Sequence, residues 1–468
     1  MRIVAMVSFL LGRFKKTLLV VETLVKEIYT FAKYLYKNYL SRYPFFRFLR
    51  NLPRNLVDHL YYARFQLFHL AGRGRFPLVS RSAYILKAGA DKVVFQEPSV
   101  LGISGPRFVG NSNFTPIAVP WVELEQPPLD IALFCGAMVM GGTNYTIIDG
   151  MVVQPDVYDV RRDVCPAELM GVAKTYTSKR QISLYTGKDQ VMVEAISLLG
   201  CCTGNYAHWL TETLPKLLYV DGLEVYNSYP LLVDEWIHPN FIDSIELIGR
   251  QKRRLIHVPR WATVKVEKLI DISPPAYVPP EHRIFHETGQ LADPVAGDFP
   301  ISRSALKSLK DRALEVLQLT MPEKGLKLFL RRERQSTGNF RCIRNTEEVE
   351  KLVGTYGFTF VDPATLSFRE QVSLFSRATC VVAPVGAALS NLIFSPPGCQ
   401  IIGLSPYYEK ANYYYFSNLM GVLEHDLYYV LGEQVSHGVG HPLHKDYLVD
   451  IQSLKIALDR FGNDGGVN

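Results

Sequence analysis

The chain alternates between two spacings of apolar residues from about position 203 onward. A helical spacing over 206–220 precedes a short apolar run at 230–233, and a helix near 242–248 precedes a run at 255–258. A second series predicts helices at 302–318, 346–354, 368–376 and 387–394 and strands at 326–330, 357–361, 379–383 and 400–404. Alternating helices and buried strands are typical of parallel α/β units.

Residues 80–200 have a different pattern, with short β-like runs separated by Gly, Pro and Asn. These runs are 83–86, 93–95, 131–134, 145–148, 151–153 and 191–195. A proline-rich stretch at 273–280 reads as a semi-rigid linker between the two alternating series. We therefore predict an α/β fold in which two Rossmann-like domains face a cleft, over 76–275 and 276–468.

The first 75 residues form a third region, in which apolar residues recur at helical spacing over 17–40. Lysines and tyrosines lie between the apolar positions, and the aromatic-basic stretch YPFFRFLR follows at 43–50. This mixture is typical of an amphipathic helix lying in a membrane interface. The alternative is a helix that packs on the rest of the protein and exposes its lysines to solvent.

Charge sharpens this division. The net charge of +6 arises from 14 basic and 3 acidic residues in 1–75, whereas the remainder holds 37 basic and 42 acidic residues. A mildly acidic body argues against a nucleic-acid partner, which requires a basic face on the body itself. We expect residues 1–50 to contact an anionic membrane surface.

The seven cysteines, Cys135, Cys165, Cys201, Cys202, Cys342, Cys380 and Cys399, contain no CxxC spacing. Their odd number and scattered positions are typical of reduced thiols in a cytosolic compartment. A zinc-finger or thioredoxin-like function is excluded by the spacing.

A turn rich in small residues follows the predicted strand at 379–383. Gly386, Ala387 and Ala388 lead into a helix that carries Asn391, so that the backbone could approach a ligand closely. The N–H groups at the start of that helix suit a diphosphate. A tight packing turn without a ligand has the same pattern.

Arginines cluster just after the strand at 326–330. Arg331 and Arg332 stand at the predicted carboxyl end of this strand, and Arg334, Arg341 and Arg344 follow. Guanidinium groups at such a strand end could bind phosphate oxygens, with Arg331 favoured. For Arg334 and Arg341 we favour the alternative, a solvated basic loop.

One face of the predicted helix at 206–220 contains candidate catalytic residues. Asn205, His208 and Glu212 share this face, and the i, i+4 spacing allows His208 to hydrogen-bond Glu212. Such a pair is a workable general base, with Glu212 favoured and His208 as partner or substitute. Asn205 and Trp209 are candidate substrate-binding residues. The alternative is a capped helix whose His and Glu merely satisfy each other.

Five blocks in this order resemble glycosyltransferase family 61. They are GNYAHWLTETLP at 204–215, LFLRR at 328–332, RNTEEV at 344–349, LSFREQ at 366–371 and GAALSNLIF at 386–394. The resemblance covers about residues 200–405 and implies a GT-B-like fold with inverting, metal-independent transfer from a nucleotide-sugar. It places His208 and Glu212 on the acceptor side, and Arg331 with the Gly386–Asn391 turn on the donor diphosphate.

Two positions depart from the family pattern. Members often have His-Gly-Ala at the turn, where this chain has Val385, and some carry an acidic residue on the next strand, where this chain has Gly403. Both departures fall on the donor side. The resemblance therefore does not identify the sugar donor. The same two departures favour the alternative function, a non-catalytic nucleotide-sugar-binding or scaffold protein.

The combined prediction is a glycosyltransferase that uses a nucleotide-sugar, such as a UDP-sugar, and needs no metal or other cofactor. It would transfer a hexosyl, pentosyl or N-acetylhexosaminyl group to a surface polysaccharide, such as a capsule, or to a glycolipid. We expect it on the cytoplasmic face of the plasma membrane. A secretory-pathway membrane is the alternative location.

Overall fold

A computed structural model describes most of the chain beyond residue 74. The described residues are 75–110, 116, 118–159, 162, 173–176, 181–184, 189–260, 262–279, 293–320, 325–332, 341–435 and 445–463. The predicted amphipathic helix over 17–40 and the basic stretch after it lie outside these residues. The N-terminal extension therefore stays a prediction.

The chain divides into two compact units, Met1–Pro77 with Pro166–Tyr185, and Leu78–Cys165 with Thr186–Asn468. In the described part of the first unit, two short strands pair in an antiparallel manner, and the second of them also pairs with Arg75, Phe76 and Pro77. The core and the candidate sites described below belong to the second unit.

The strands, numbered along the whole chain, are β1 Arg75–Ser80, β2 Lys92–Gln96, β3 Ser99–Ile103, β4 Val122–Gln126, β5 Leu129–Met140, β6 Thr146–Ile148, β7 Met151–Gln154, β8 Ala173–Tyr176, β9 Gln181–Leu184, β10 Asp189–Ser197, β11 Leu231–Asp234, β12 Leu255–Val258, β13 Thr263–Ile272, β14 Leu326–Leu330, β15 Thr359–Val361, β16 Ala378–Pro384, β17 Gln400–Pro406, β18 Asp426–Gln434 and β19 Tyr447–Val449.

The α-helices are α1 Arg81–Ala88, α2 Tyr206–His208, α3 Lys216–Val220, α4 Pro239–Ile248, α5 Arg303–Leu317, α6 Thr346–Gly354, α7 Phe368–Phe375, α8 Tyr414–Val422 and α9 Ile451–Asn463. A π-helical turn, Trp209–Thr213, continues α2. A 3₁₀ helix, Ala387–Phe394, follows β16, and shorter 3₁₀ turns span Glu224–Tyr226, Ala296–Asp298 and Pro363–Thr365.

The first sheet contains four neighbouring parallel strands in the order β12-β11-β10-β13. The chain leaves β10 towards β11 and β12 on one side and returns to place β13 on the other. Strand β5 then pairs antiparallel to β13 over nine residue pairs and leads to β6 and β7. The strand order therefore reverses between β10 and β13.

The second sheet has the order β15-β14-β16-β17-β18-β19, and only its last pair is antiparallel. Its central strands are runs of buried apolar residues, as expected when helices cover both faces. Here β15 lies on one side of β14, and β16 and the later strands lie on the other. This sheet reverses between β14 and β16.

Both sheets share one apolar core. Side chains from helical segments of both alternating series meet in this core, among them Trp209, Phe241, Leu309, Phe375 and Phe394. These five residues are at most 4% exposed. Burial of apolar area at about 25 cal/mol per Å² is the dominant force that holds these layers together.

The predicted alternation of helices and strands after residue 203 is confirmed, and so is the mixed α/β class. The arrangement of two Rossmann-like domains across a cleft stays a prediction. One predicted strand is wrong. Residues 83–86 lie in α1, which the Ser80 hydroxyl caps at its N-terminus and left-handed Gly89 ends.

The proline-rich stretch is not an exposed linker. Ser273, Ala276 and Tyr277 are at most 6% exposed, and the Tyr277 N–H donates to the carbonyl of Pro300. The stretch crosses the core between the two sheets because its apolar side chains pack there. Its backbone consequently occupies a fixed position beside the helix that carries His208 and Glu212.

Candidate active site

The carboxyl ends of β14 and β16 border a cavity of about 170 Å³. This is the point at which the strand order of the second sheet reverses, and in open α/β sheets ligands bind at such points. Arg332, Arg341, Pro384 and Tyr447 are among the residues that line it. The position and the cationic lining make this the candidate site for an anionic ligand.

Two guanidinium groups lie beside Gly386 in this cavity. A Cβ atom placed on Gly386 would lie 2.8 Å from Nη1 of Arg332 and 3.7 Å from Nη2 of Arg341. Arg341 is buried, and its Nη2 donates to the carbonyl of Val385. Burial, and then the neighbouring charge of Arg341, lower the pKa of Arg332 to about 10. An anion bound between them would relieve this repulsion.

Arg331, the arginine favoured from sequence, has a different setting. Its Nε and Nη2 donate to the two carboxylate oxygens of Glu350 at 2.8 and 2.7 Å, and its guanidinium lies 4.9 Å from the Phe360 ring. It lines the same cavity but is half exposed and held by this bidentate pair. The position beside Gly386 belongs to Arg332.

The turn after β16 is half-buried at Gly386, Ala387 and Ala388, where the 3₁₀ helix begins. The first N–H groups of a helix have no partner within it, which leaves them for a ligand. Asn391, one turn further on, is fully buried. Its Nδ2 donates to Gln371 at 2.8 Å and its Oδ1 accepts from Tyr206 at 2.7 Å. Asn391 therefore fixes the turn from within.

The two departures from the family pattern touch each other. Val385 is buried above Gly403 on the neighbouring strand, and a Cβ on Gly403 would lie 3.0 Å from Val385 Cγ2. Leu427 and Tyr429 lie below, within 3.5 Å of that Cβ position. The departures together form one apolar contact under the turn.

A second candidate site lies at the carboxyl ends of β10 and β13, where the first sheet reverses. Asn205 caps α2 through a 2.9 Å bond from the Ala207 N–H to its side-chain oxygen. The π-helical turn that follows aligns His208 and Glu212, whose Nδ1 and Oε1 atoms are 2.9 Å apart. π-Helical turns occur frequently at functional sites.

Glu212 is fixed at one oxygen only. Its Oε1 also accepts the N–H of Val278, in the buried proline-rich stretch, at 2.8 Å. Within the described ranges Oε2 makes no hydrogen bond. The carboxylate is thus oriented by two donors and retains an oxygen that can take a proton.

Trp209, a candidate substrate-binding residue from the sequence, lies in the apolar core. It is fully buried, it stacks on Phe241 with ring centroids 5.1 Å apart, and its Nε1 donates to Ser244 at 2.8 Å. It offers no surface to a substrate. We therefore assign Trp209 to packing, because it anchors the helix that carries His208 and Glu212.

The model of the Glycosyltransferase 61 family matches residues 206–402. The match covers less than half of the chain, and it confirms the resemblance to glycosyltransferase family 61 over these residues. The match begins at α2 and ends within β17, so it contains His208, Glu212, both arginines beside Gly386 and the turn itself. The chain matches no curated protein.

A buried carboxylate supports the loop before α2. Asp234 accepts from the N–H groups of Gly142 and Gly200 at 2.8 and 3.1 Å and from the Thr203 hydroxyl at 2.5 Å. Burial raises the pKa of Asp234 to about 6, although these donors act in the opposite direction. Asp234 ties the loop of Gly200 to the loop of Gly142.

The described part of the chain contains no cluster of three or more His, Cys, Asp or Glu placed to hold a metal. In the same residues no helix is long and apolar enough to span a membrane. The six described cysteines are free thiols.

The solvated loop predicted for Arg341 is wrong, because Arg341 is buried and donates to the Val385 carbonyl, and the sequence contains no indication of the backbone N–H of Val278. Arg341 stands outside any strand, and its contact with Val385 joins residues 44 positions apart. Val278 contributes only its main chain, which leaves no side-chain signal. Two features of the sequence pointed to Arg341, namely the cluster of arginines after the strand at 326–330 and the neighbouring family block RNTEEV at 344–349.

Proposed function

We propose that this glycosyltransferase moves a sugar from a nucleotide-sugar, a UDP-sugar in the first instance, to a hydroxyl of a glycan or glycolipid. The observation that carries the proposal is the pair Arg332 and Arg341 beside the Gly386 turn, at the strand reversal of a parallel sheet. This arrangement matches the charge of a diphosphate.

In the transfer, the acceptor oxygen forms a bond to the anomeric carbon, and the bond from that carbon to the diphosphate oxygen breaks. The nucleoside diphosphate leaves with the bonding electrons, and the acceptor proton goes to a base. Arg332 and Arg341 stabilise the negative charge that develops on the leaving group. Displacement from the opposite face inverts the anomeric configuration.

Glu212 is the proposed base, through Oε2. His208 and the Val278 N–H hold Oε1, so the carboxylate keeps one orientation without losing its second oxygen. His208 is the positioning partner, because its Nδ1 donates to the carboxylate. Two guanidinium groups supply the positive charge that a metal provides in other transferases, so we propose metal-independent chemistry.

The proposed acceptor is a surface polysaccharide or lipid-linked glycan, reached at an anionic membrane surface through residues 1–50. The supporting observation is the sequence balance of 14 basic against 3 acidic residues in 1–75. We propose the inner face of the plasma membrane as the location. We expect the full chain to bind vesicles that contain about 30% anionic lipid. Deletion of residues 1–50 should abolish this binding.

Nucleotide binding tests the central proposal. We expect thermal stabilisation of the full chain by one of UDP, GDP, CMP or dTDP at millimolar concentration without metal. A nucleotide at about 100 times its Kd adds roughly 2.7 kcal/mol to the free energy of unfolding. Arg332→Ala and Arg341→Ala should each abolish the shift, whereas Arg460→Ala, on the exposed face of α9, serves as control. Loss on Arg331→Ala alone would return the role to Arg331.

A non-catalytic nucleotide-sugar-binding protein is the second candidate. The apolar contact between Val385 and Gly403 favours it, because that contact stands where family members place polar groups. Such a protein would bind a nucleotide-sugar yet neither transfer nor hydrolyse it. Release of UDP from a UDP-sugar, measured with a mixed glycan extract as acceptor, distinguishes the two candidates.

A further inference from the structure

A second, smaller cavity lies beside the candidate base. It is lined by the ends of β10 and β13, through Ser197 and Asp271, and by side chains of the β6 and β7 region, including Thr146 and Gln154. Lys216, four residues after Glu212, also lines it. The cavity therefore opens at the strand reversal of the first sheet, where a ligand is expected.

One wall of this cavity is a rigid ion cluster. Arg81 is 4% exposed and forms ion pairs with both Asp130 and Asp271. Its charge is compensated within the protein and holds Asp271 in place. Asp271 and Asp130 together with Arg81 and Lys216 carry no net charge, and Glu212 adds one negative charge. An uncharged ligand therefore suits the cavity better than a phosphate or a carboxylate.

Lys216 supplies hydrogen-bond donors that the protein does not use. Among the described residues its ammonium group forms neither a hydrogen bond nor an ion pair, although the charges of Asp271 and Glu212 act on it. Burial lowers the pKa of Lys216, and these two carboxylates oppose that effect. Lys216 is half-buried, so its ammonium group can donate to a ligand in the cavity at a smaller cost of desolvation than a fully exposed lysine would pay.

Gln154 supplies the matching acceptor. It is 6% exposed, and its Oε1 has no hydrogen-bond partner in the described part of the chain, while Nε2 donates to the carbonyl of Tyr158 at 3.4 Å. An unsatisfied donor and an unsatisfied acceptor thus line one cavity. A hydroxyl group can accept from the first and donate to the second.

Size restricts what can enter. The cavity holds about 30 Å³, which is close to the share of volume of one water molecule. A pyranose ring cannot fit in this space, but a hydroxymethyl arm of a ring bound outside it can. Charge, hydrogen bonding and size agree on a neutral, hydroxyl-bearing arm.

We propose that this cavity is an acceptor subsite, in which Lys216 and Gln154 bind the primary hydroxyl of a hexose. The inference rests on the proposed function and deepens it, because it makes the acceptor a hexose with a free hydroxymethyl group. The ring of that hexose then lies next to Glu212, one helical turn away along the same segment. Lys216 is a specificity-determining residue and takes no proton in the reaction.

The test compares sugars that differ only in this hydroxyl. The probes are methyl glucoside and methyl galactoside, each with its 6-deoxy form, added to the full chain in the presence of the nucleotide that stabilises it. Their affinities are measured by saturation-transfer NMR. We expect at least one parent sugar to bind about tenfold more tightly than its 6-deoxy form. Lys216→Met should reduce the preference to within about twofold.

Two further variants keep the test decisive. Gln154→Leu should also lose the preference, which covers the case in which Lys216→Met does not fold. Lys310→Met is the matched control, since Lys310 is another half-buried lysine with a lowered pKa, bonded to the Ser395 carbonyl. It should retain the preference.

Equal binding of every parent and 6-deoxy pair, binding of none of the probes, or a preference that survives both Lys216→Met and Gln154→Leu would overturn the subsite. Any of these results would mean that the cavity holds only water. Thermal stabilisation by nucleotide is measured separately, with the Arg332→Ala and Arg341→Ala variants. The subsite can therefore fail while the proposed function stands, and loss of nucleotide binding alone marks failure of the proposed function.

Discussion

The hydroxyl of Tyr206 donates a 2.7 Å hydrogen bond to Oδ1 of Asn391, and Nδ2 of Asn391 donates to Oε1 of Gln371 at 2.8 Å. Tyr206 begins the helical segment that carries Glu212, and Asn391 lies in the 3₁₀ helix that follows Gly386. The proposed base and the proposed diphosphate site are therefore joined by one pair of side chains. Asn391 acts as a positioning residue between them.

Removing that hydroxyl should separate the two sites functionally. In Tyr206→Phe the buried oxygen of Asn391 loses its partner, at a cost of about 1–3 kcal/mol in stability. We expect a loss in kcat of about tenfold with an unchanged Kd for nucleotide, because the base shifts while the arginines do not. Steady-state kinetics and calorimetry measure the two quantities.

Tyr356→Phe is the matched control for this experiment. It also removes one tyrosine hydrogen bond, to Asp459 on the surface, and Tyr356 lines neither candidate cavity. Equal losses of kcat in both variants, or a weakened nucleotide affinity in Tyr206→Phe, would contradict the positioning role of the pair.

Glu212→Gln should abolish transfer while leaving the fold intact. The amide can still accept from His208 and Val278, but it cannot take a proton, so kcat should fall by about 10²–10⁴. Nucleotide binding should be retained. Glu315→Gln, at the exposed partner of Arg312 in α5, provides a Glu-to-Gln comparison at a residue that lines neither cavity. Full activity in Glu212→Gln with loss in His208→Ala would transfer the role of base to His208.

A methyl group at Gly386 should displace Arg332. The added Cβ would lie 2.8 Å from Nη1, and a flexible side chain can move away at little cost in stability. Since the guanidinium then leaves the turn, Gly386→Ala should raise the Kd for nucleotide about tenfold while shifting Tm only slightly. Gly297→Ala, where a Cβ meets nothing within 4 Å, is the control. An unchanged Kd would show that Arg332 does not bind the ligand.

Two buried groups should give opposite pH dependences of stability. Burial raises the pKa of Asp234 from 3.8 to about 6, so between these values the native state binds more protons and stability falls as pH rises. Burial lowers the pKa of His425 from 6.5 to about 4, so the unfolded state binds more protons and stability rises with pH. Each contribution is of order 3 kcal/mol, and they largely cancel in the native protein.

Single variants should expose each contribution. Relative to the native protein, Asp234→Asn should gain stability as pH rises from 4 to 6. The substitution removes the contribution of Asp234, which opposes that of His425 over this range. His425→Gln should lose stability over the same range. Free energies of unfolding in urea at several pH values measure both slopes, with His257→Gln, at an exposed position of β12, as the comparison. Parallel pH profiles for all four proteins would contradict this account.

Local sequence patterns predicted which segments form this site, whereas tertiary contacts determine which side chains meet in it. The spacing of His208 and Glu212 is a property of one helix, and the Gly386 turn follows one buried strand, so both were visible in the sequence. Whether Arg331 or Arg332 meets Gly386 depends on Glu350, which binds Arg331 from a helix 19 residues away. No local pattern contains that choice.

The strand wrongly predicted at 83–86 has a similar cause. Four apolar or neutral residues fit either period, and only the flanking Ser80 and Gly89 favour a helix. Trp209 was misassigned because its neighbours His208 and Glu212 face a site, whereas its own direction along the helix points into the core. Chain neighbours on a helix lie on different faces.

The stacked, fully buried Trp209 also gives this protein an internal optical probe. Its indole is shielded from water and bonded at Nε1, so its emission should lie at short wavelength and resist quenching by acrylamide, whereas the 62% exposed Trp121 should be quenched readily. Because Trp209 sits in the turn between His208 and Glu212, a red shift of its emission, measured in a variant whose other three tryptophans are replaced by Phe, would report loosening of the turn that carries Glu212. Fluorescence could then follow the state of this site during catalysis without any added label.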